Sequence, residues 1–162
     1  MEEKKFVSLK KEEFAIKEFI KKYLGKGKVS KVQIEYTPVG EKVIMKTSKP
    51  GLIIGRGGEK INSLTSVLKK RFKFENPHIE IQEIKNPSLD SQSVADEIAM
   101  NIENKGALKF KIISYKLLKQ IGDAGALGVE IKLSGKLPSA RARTWRFKKG
   151  YLKKVGDSSK VV

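Results

Sequence analysis

The sequence contains no cysteine and a single histidine, His78. The absence of cysteine excludes disulfide bonds, thiol catalysis and the cysteine-based structural zinc sites. His78 follows a proline at the edge of a predicted strand, where a solvated surface histidine is the simplest interpretation. We therefore expect no catalytic residue, no metal site and no cofactor. The lack of disulfides is consistent with a cytoplasmic protein.

Long hydrophobic runs are also missing. The longest apolar stretches cover only a few residues, such as Leu52-Ile53-Ile54, and the first residues have no apolar core of signal-peptide length. A membrane-spanning helix needs about 20 apolar residues. We therefore expect a soluble protein with no membrane partner.

Acidic residues are scarce relative to basic ones. The 162 residues include 35 Lys and Arg but only 18 Asp and Glu, which gives a formal net charge of +17. Such an excess of positive charge repels itself in a compact fold and favours a polyanionic partner. Nucleic acid fits best. An acidic membrane is a weaker alternative, because no helix combines a basic face with a broad aromatic face. A lysine-rich soluble protein without a polyanionic partner is the third interpretation.

The periodicity of apolar residues predicts an α+β fold with two domains. Over residues 1–86 the order is helix, strand, strand, short helix, glycine loop, helix and strand. The glycine loop is Gly55 to Gly58, and the following helix starts near Glu59. Asn86-Pro87-Ser88-Leu89-Asp90 combines a proline with capping residues, which indicates the domain boundary.

Residues 87–162 predict two helices followed by an antiparallel sheet. Leu127, Val129, Ile131 and Leu133 alternate with small or charged residues, as in a half-buried strand. A second strand is predicted from Arg141 to Phe147. The tail from Gly156 onward is polar, and we expect it to fray.

The glycine loop carries the clearest chemistry in the sequence. Glycines allow left-handed backbone angles and let peptide N–H groups approach a bulky anion. The free N–H groups at the start of the following helix favour a phosphate, and Arg56 and Lys60 add full charges. A dinucleotide fingerprint would need glycine where Lys60 stands, and no Gly-Lys-Ser/Thr occurs. Phosphate binding without nucleotide hydrolysis is the prediction, with a plain turn between helices as the alternative.

The surroundings of this loop resemble a KH domain of the second type, in which an extra helix and strand precede the core. Ile53-Ile54-Gly55-Arg56-Gly57-Gly58 opens a helix, after helix-strand-strand and before another strand. The resemblance implies that this loop holds the backbone of single-stranded nucleic acid. It also implies that bases lie against an apolar groove that includes Ile53, Ile54 and Ile61.

A second basic region lies near the end of the sequence, where residues 131–156 include no acid. Its predicted RNA-binding residues are Lys136, Arg141, Arg143, Arg146, Lys148 and Lys149. In a strand over residues 141–147, Arg141, Arg143, Trp145 and Phe147 share one face, so the rings could stack on bases. The alternative, which we favour for the rings, is that Trp145 and Phe147 belong to the core.

Taken together, the two halves resemble the universal KH-containing ribosomal proteins of the small subunit's head, third in small-subunit numbering, in their archaeal and eukaryotic branch. The segments that carry this resemblance are residues 50–58, 125–131, 134–137 and 140–144, with Gly150-Tyr151. The resemblance implies ribosomal RNA and neighbouring head proteins as partners. It also implies that the protein helps to line the channel through which messenger RNA enters.

In these relatives, basic residues of the helix after the domain boundary face that channel. The matching residues are Lys109, Lys111 and Lys116. Relatives commonly have two adjacent basic residues after the aromatic, whereas Ile112 follows Lys111 here, so unwinding of messenger RNA by this helix is less well supported. Relatives also continue with further strands, so the second domain could lack its last strands or be completed by a neighbour.

Two other functions remain as alternatives. The first is a free KH regulator that acts away from the ribosome, although the chain has only one KH unit. The second is cleavage at damaged DNA through a lysine Schiff base, which some eukaryotic relatives are associated with. No lysine lies in a recognisable apolar pocket beside an acid, and Asp96 and Glu97 point in different directions on a helix. We therefore expect a ribosome-bound structural protein.

Overall fold

A computed structural model of the protein describes residues 2–38, 40–72, 74 and 76–160. The chain divides into two compact units, residues 1–85 and 86–162. The helices are α1 Glu2–Leu24, α2 Pro50–Ile54, α3 Glu59–Phe72, α4 Ser91–Lys105 and α5 Phe110–Asp123. The strands are β1 Lys31–Thr37, β2 Gly40–Thr47, β3 His78–Glu83, β4 Gly128–Gly135 and β5 Arg143–Gly150. The predicted α+β class is confirmed.

The first unit is a three-stranded mixed sheet with helices packed on it. Its strand order is β1-β2-β3, with β2 antiparallel to β1 and parallel to β3. The order of elements is the predicted one. The sequence Pro38-Val39-Gly40 predicts a turn before β2, and Val39 lies outside the described residues.

The core of the first unit joins α1, α3 and the sheet. Ile20, Val43, Met45, Leu64 and Leu68 are all completely buried. Burial of each such side chain contributes about 1.5–3 kcal/mol relative to leaving it exposed. The rest of the cluster is Ile16, Leu24, Val29, Val32, Ile53 and Phe74. This core holds the start of α3, and therefore the glycine loop before it, against the sheet.

Thr47 sets the turn between β2 and α2. Its buried hydroxyl donates to the carbonyl of Lys28 at 2.6 Å and accepts from the N–H of Lys49 at 3.0 Å. Pro50 then occupies the start of α2, where its missing N–H removes no helical hydrogen bond. The short helix therefore delivers the chain directly into the glycine loop.

The second unit packs α4 and α5 on the antiparallel hairpin of β4 and β5. Asp90 caps α4 by accepting a hydrogen bond from the N–H of Ser93 at 2.8 Å, in the segment expected to carry the boundary. The buried face of α5 carries Phe110, Ile113, Leu117 and Ile121, which recur at helical spacing in the sequence. The other buried residues of this core are Val94, Ile98, Leu118, Ile131 and Phe147.

The bounds of both hairpin strands differ from the prediction. Leu127 lies before β4 and is 79% exposed, so it does not share the buried face of that strand. The second strand begins at Arg143 rather than Arg141 and continues to Gly150. The Ser139 hydroxyl donates to the carbonyl of Arg141 at 2.8 Å, and this local bond keeps Arg141 in the connecting loop.

Candidate nucleic-acid interface

The glycine loop connects α2 to α3 in a conformation that favours glycine at three of its four positions. The φ angles are 76° at Gly55, 57° at Gly57 and 80° at Gly58, all in the left-handed half of backbone space. A Cβ atom added at Gly57 or Gly58 would meet no atom within 4 Å. The two glycines therefore serve the backbone conformation and leave open space beside it, which is the room a phosphate needs.

The start of α3 supplies the electrostatic part of this site. The helix runs for 14 residues from Glu59, and its first N–H groups and positive dipole end face the loop. The N–H of Gly55 donates to the carbonyl of Gly51 at 3.1 Å and thereby ends α2. The loop is thus held at both ends by helices.

Arg56 and Lys60 place two cations at the loop. Both side chains are exposed. The aliphatic part of Lys60 crosses Gly55, where an added Cβ would come within 2.9 Å of the Lys60 Cγ. The Lys60 ammonium lies 3.4 Å from the carbonyl oxygen of Leu52, in α2. A side chain at position 55 would therefore displace Lys60 as well as strain the backbone.

The three isoleucines of the predicted groove lie in different environments. Ile54 is 39% exposed and Ile61 is half-buried, so both can contribute apolar surface beside the loop. Ile53 is completely buried in the first core, because it occupies the side of α2 that faces the sheet. The prediction that a base lies directly against Ile53 is therefore corrected, because this side chain is not accessible. Ile53 instead packs beneath the loop and supports it.

The lysines predicted on α5 all reach solvent. Lys109 lies in the turn before the helix, and Lys111 and Lys116 lie on its first two turns. The Lys111 ammonium is 6.0 Å from the centre of the Phe110 ring, whose body is buried. No acidic residue occurs between positions 104 and 122 of the sequence, so the neighbours of these cations along the chain are neutral or basic.

The hairpin sorts its basic residues onto two faces. Side chains alternate along a strand, so Trp145, Phe147 and Lys149 share the face toward the helices, while Arg146 and Lys148 share the other. Phe147 is 6% exposed, and the rings of Trp145 and Phe147 lie 4.9 and 6.4 Å from that of Phe110. Phe147 is therefore a core residue, and Trp145 is partly buried against the same core.

The outer face of the hairpin is a more continuous basic surface than the face toward the helices. Its cross-strand neighbours are Lys132 beside Arg146 and Glu130 beside Lys148. The site predicted from the sequence includes Arg146 and Lys148 but not Lys132, although the alternation of Lys132 with Ile131 and Leu133 already indicates an outward side chain. We define these three cations, Lys132, Arg146 and Lys148, as the outer-face cations.

Glu130 is the acid on this face. The Lys154 ammonium forms an ion pair with its carboxylate and lowers the pKa of Glu130, and the charges of Lys132 and Lys148 lower it further. Partial burial of the carboxyl works in the opposite direction. Lys154 is therefore drawn across the hairpin and held beside the outer-face cations.

The remaining predicted residues do not belong to that face. Lys136 and Arg141 lie in the exposed loop between the strands, and Arg143 is exposed at the start of β5. The Lys149 side chain lies across the last turn of α5, since a Cβ added at Gly122 would come within 2.8 Å of its Nζ. A cation at a helix C-terminus is favoured by the helix dipole. The structure therefore brings the six predicted residues to four different places.

Within the part of the chain that the structure describes, no group of three His, Asp or Glu side chains could hold a metal ion. None of the described helices combines the length and the hydropathy needed to cross a membrane.

Lys42 and Glu80 form a 2.6 Å ion pair on the first sheet, which raises the pKa of Lys42 and lowers that of Glu80. This pair has the geometry of a surface bridge between neighbouring strands.

Comparison with known proteins adds to this geometry. The KH domain family matches residues 15–89. A protein of Methanocaldococcus jannaschii named small ribosomal subunit protein uS3 is 40% identical over 157 residues, covering 97% of this chain and 74% of the relative. Proteins of the same name from Methanosphaera stadtmanae and Haloarcula marismortui are 35% and 33% identical. They are matched over 98% and 99% of this chain. The chain spans 62% and 52% of their respective lengths.

Proposed function

Because the chain belongs to the family of small ribosomal subunit protein uS3, we propose that it is a structural constituent of the small ribosomal subunit that binds ribosomal RNA in the head. Members of this family are ribosomal proteins rather than enzymes, and the role needs no catalytic residue. Neighbouring head proteins are the expected protein partners. The protein is proposed to act in the cytoplasm, bound to the ribosome.

The observation that carries this proposal is the glycine loop at the start of α3. It combines left-handed glycines, open space beside Gly57 and Gly58, and a helix N-terminus that faces the same space. Arg56 lies within the loop and Lys60 in the first turn of α3. Phosphates of a single strand would bind to the loop, and bases would lie on the exposed part of Ile54 and on Ile61.

The second unit contributes phosphate contacts through the outer-face cations. Side chains two residues apart on a strand are separated by about 6.7 Å, which is comparable with the spacing of successive phosphates along a nucleic-acid strand. If this chain neutralises around six phosphates of single-stranded RNA, the logarithm of its affinity should fall with the logarithm of salt with a slope of about −4. A purely apolar interface would show no such slope.

Messenger RNA is the proposed partner of α5. Lys109, Lys111 and Lys116 are exposed at a helix whose opposite face is buried, so the helix is rigid and its cations are displayed to solvent. Such a surface can line a channel through which an RNA strand moves, because lysines bind phosphates without reading the sequence. The proposal is that this face of α5 borders the channel where messenger RNA enters.

The test is a sucrose-gradient profile of cell lysate, probed for this chain at low and high salt. We expect co-migration with small subunits that survives high salt. A chain that stays near the top of the gradient, or that is released by moderate salt, would contradict the ribosomal role and favour a free KH regulator. Purified small subunits should then be probed for RNA crosslinks to each unit, which distinguishes loop contacts from hairpin contacts.

A further inference from the structure

Large apolar side chains are exposed on the same side of α5 as its lysines. Leu108, in the turn before the helix, is 79% exposed, and Ile112 and Tyr115 are 71% and 63% exposed. Ile112 and Tyr115 are three positions apart and are therefore neighbours on the helix surface, and Leu108 lies in the turn that leads into the helix. We define Leu108, Ile112 and Tyr115 as the α5 ridge. A contiguous apolar patch of this kind marks an interaction site more often than an isolated exposed residue does.

The helix that carries the α5 ridge is anchored in the core of the second unit. Phe110, Ile113 and Leu117, on the opposite face of the helix, are buried in the second core. The Tyr115 ring contacts the buried Phe147 edge to face, with ring centres 5.2 Å apart. This contact fixes the orientation of the exposed ring, so little side-chain entropy remains to be lost when a ligand stacks on it.

The charges around the ridge indicate the chemistry of its partner. Residues 104–122 contain five lysines and no acid. With about 100° of rotation per residue, Lys111 and Lys116 lie on opposite sides of the ridge, and Lys119 continues its line one turn further. An apolar strip with a cation on each side matches a strand whose bases contact the strip and whose phosphates lie at its edges. A protein partner would need an acidic rim to match the same lysines.

We propose that the α5 ridge is a binding site for unpaired nucleobases, so that α5 contacts single-stranded RNA through base stacking as well as through phosphates. This inference rests on the proposed function, because it names how α5 would recognise messenger RNA. Tyr115 offers its ring, and Leu108 and Ile112 offer apolar contact to the flanking bases. In double-stranded RNA the flat faces of the bases are stacked on one another and cannot contact the ridge. The ridge therefore favours single strands.

The experiment uses the full chain carrying Gly57→Asp and Gly58→Asp, which weakens RNA binding at the glycine loop. Binding of a single-stranded RNA containing 2-aminopurine is compared with that of an abasic ribose-phosphate oligomer of equal length. Two ridge variants are used, Ile112→Ser with Tyr115→Ser, and Leu108→Ser with Ile112→Ser. The second variant retains the contact between Tyr115 and Phe147, so it tests the ridge even if the first variant loosens the core.

We expect each ridge variant to bind the base-containing RNA at least about fivefold more weakly, with an unchanged salt slope and unchanged binding of the abasic oligomer. The matched control Val155→Ser removes an apolar side chain that is 83% exposed in the same unit, and it should leave all binding unchanged. Lys111→Gln with Lys116→Gln should instead make the salt slope shallower by about 1.4 for both oligomers.

Wild-type-like binding of the base-containing RNA by both ridge variants would overturn the inference. So would equal binding of base-containing and abasic oligomers by the parent chain. If the ridge variants bind RNA normally but lose a head protein from purified small subunits, the ridge is a protein contact and the inference is wrong. Failure of the proposed function is seen separately, as absence of the chain from small subunits in the gradient.

Discussion

Replacement of Gly57 and Gly58 by aspartate tests the proposed phosphate site most directly. An added Cβ meets no atom within 4 Å at either position, so the new side chains would extend into the space assigned to phosphate. Two unit charges about 5 Å apart interact with about 0.8 kcal/mol in water, and more strongly where water is partly excluded. Two carboxylates facing one phosphate therefore oppose binding by at least about 1.7 kcal/mol, or about 15-fold in affinity.

The same change also affects folding, because both positions have positive φ angles. A non-glycine residue in left-handed conformation costs about 1–2 kcal/mol, and aspartate tolerates it better than most. Gly57→Ala with Gly58→Ala introduces comparable strain without charge. Gly125→Asp is a second control, since Gly125 also has a positive φ and open space but follows the end of α5.

The assay is fluorescence anisotropy with single-stranded RNA at two salt concentrations, after denaturant unfolding has shown that each variant is folded. The aspartate pair should bind at least about 15-fold more weakly than the parent. The alanine pair should lose less affinity and Gly125→Asp little. Unchanged affinity in the aspartate pair would refute the loop as the phosphate clamp. Equal losses in the aspartate and alanine pairs would show that strain, rather than charge, is responsible.

Three further outcomes follow from the structure. Ile53→Ala should lower the free energy of unfolding by about 2–5 kcal/mol, measured by denaturant unfolding, because it opens a cavity in a buried core. The ion pair with Lys154 lowers the pKa of Glu130 in the folded protein, so it stabilises the fold at pH values above the unfolded-state pKa of this carboxyl. The difference in stability between the parent and Glu130→Gln should therefore disappear as the pH falls through the lowered pKa, as measured by denaturant titrations across acidic pH. Lys148→Gln should make the salt slope of RNA binding shallower by about 0.7, whereas Lys149→Gln should change stability and leave the slope unaltered.

Several features of the fold can be predicted because they depend on local pattern. The amphipathic spacing of Phe110, Ile113 and Leu117 predicts a helix with one buried face, and the structure confirms it. Alternation predicts β1 and β4 in the same way. The glycine loop is predicted from residue type and spacing, and its positive φ angles agree with the expected backbone conformation. These signals arise within a few residues, where periodicity reflects the geometry of a single element.

The tertiary structure decided which side chains of each segment reach solvent. Ile53 and Ile54 are adjacent and chemically identical, yet only the packing of α2 on the sheet buries the first and exposes the second. Likewise, a strand over 141–147 and one over 143–150 have the same alternation, so only pairing with β4 defines the ends of the strand. The sequence alone thus determined the charge, the helices and the glycine loop. Packing between distant segments determined the accessible surface, because the burial of a side chain depends on which other segments pack against it and not on its neighbours in the chain.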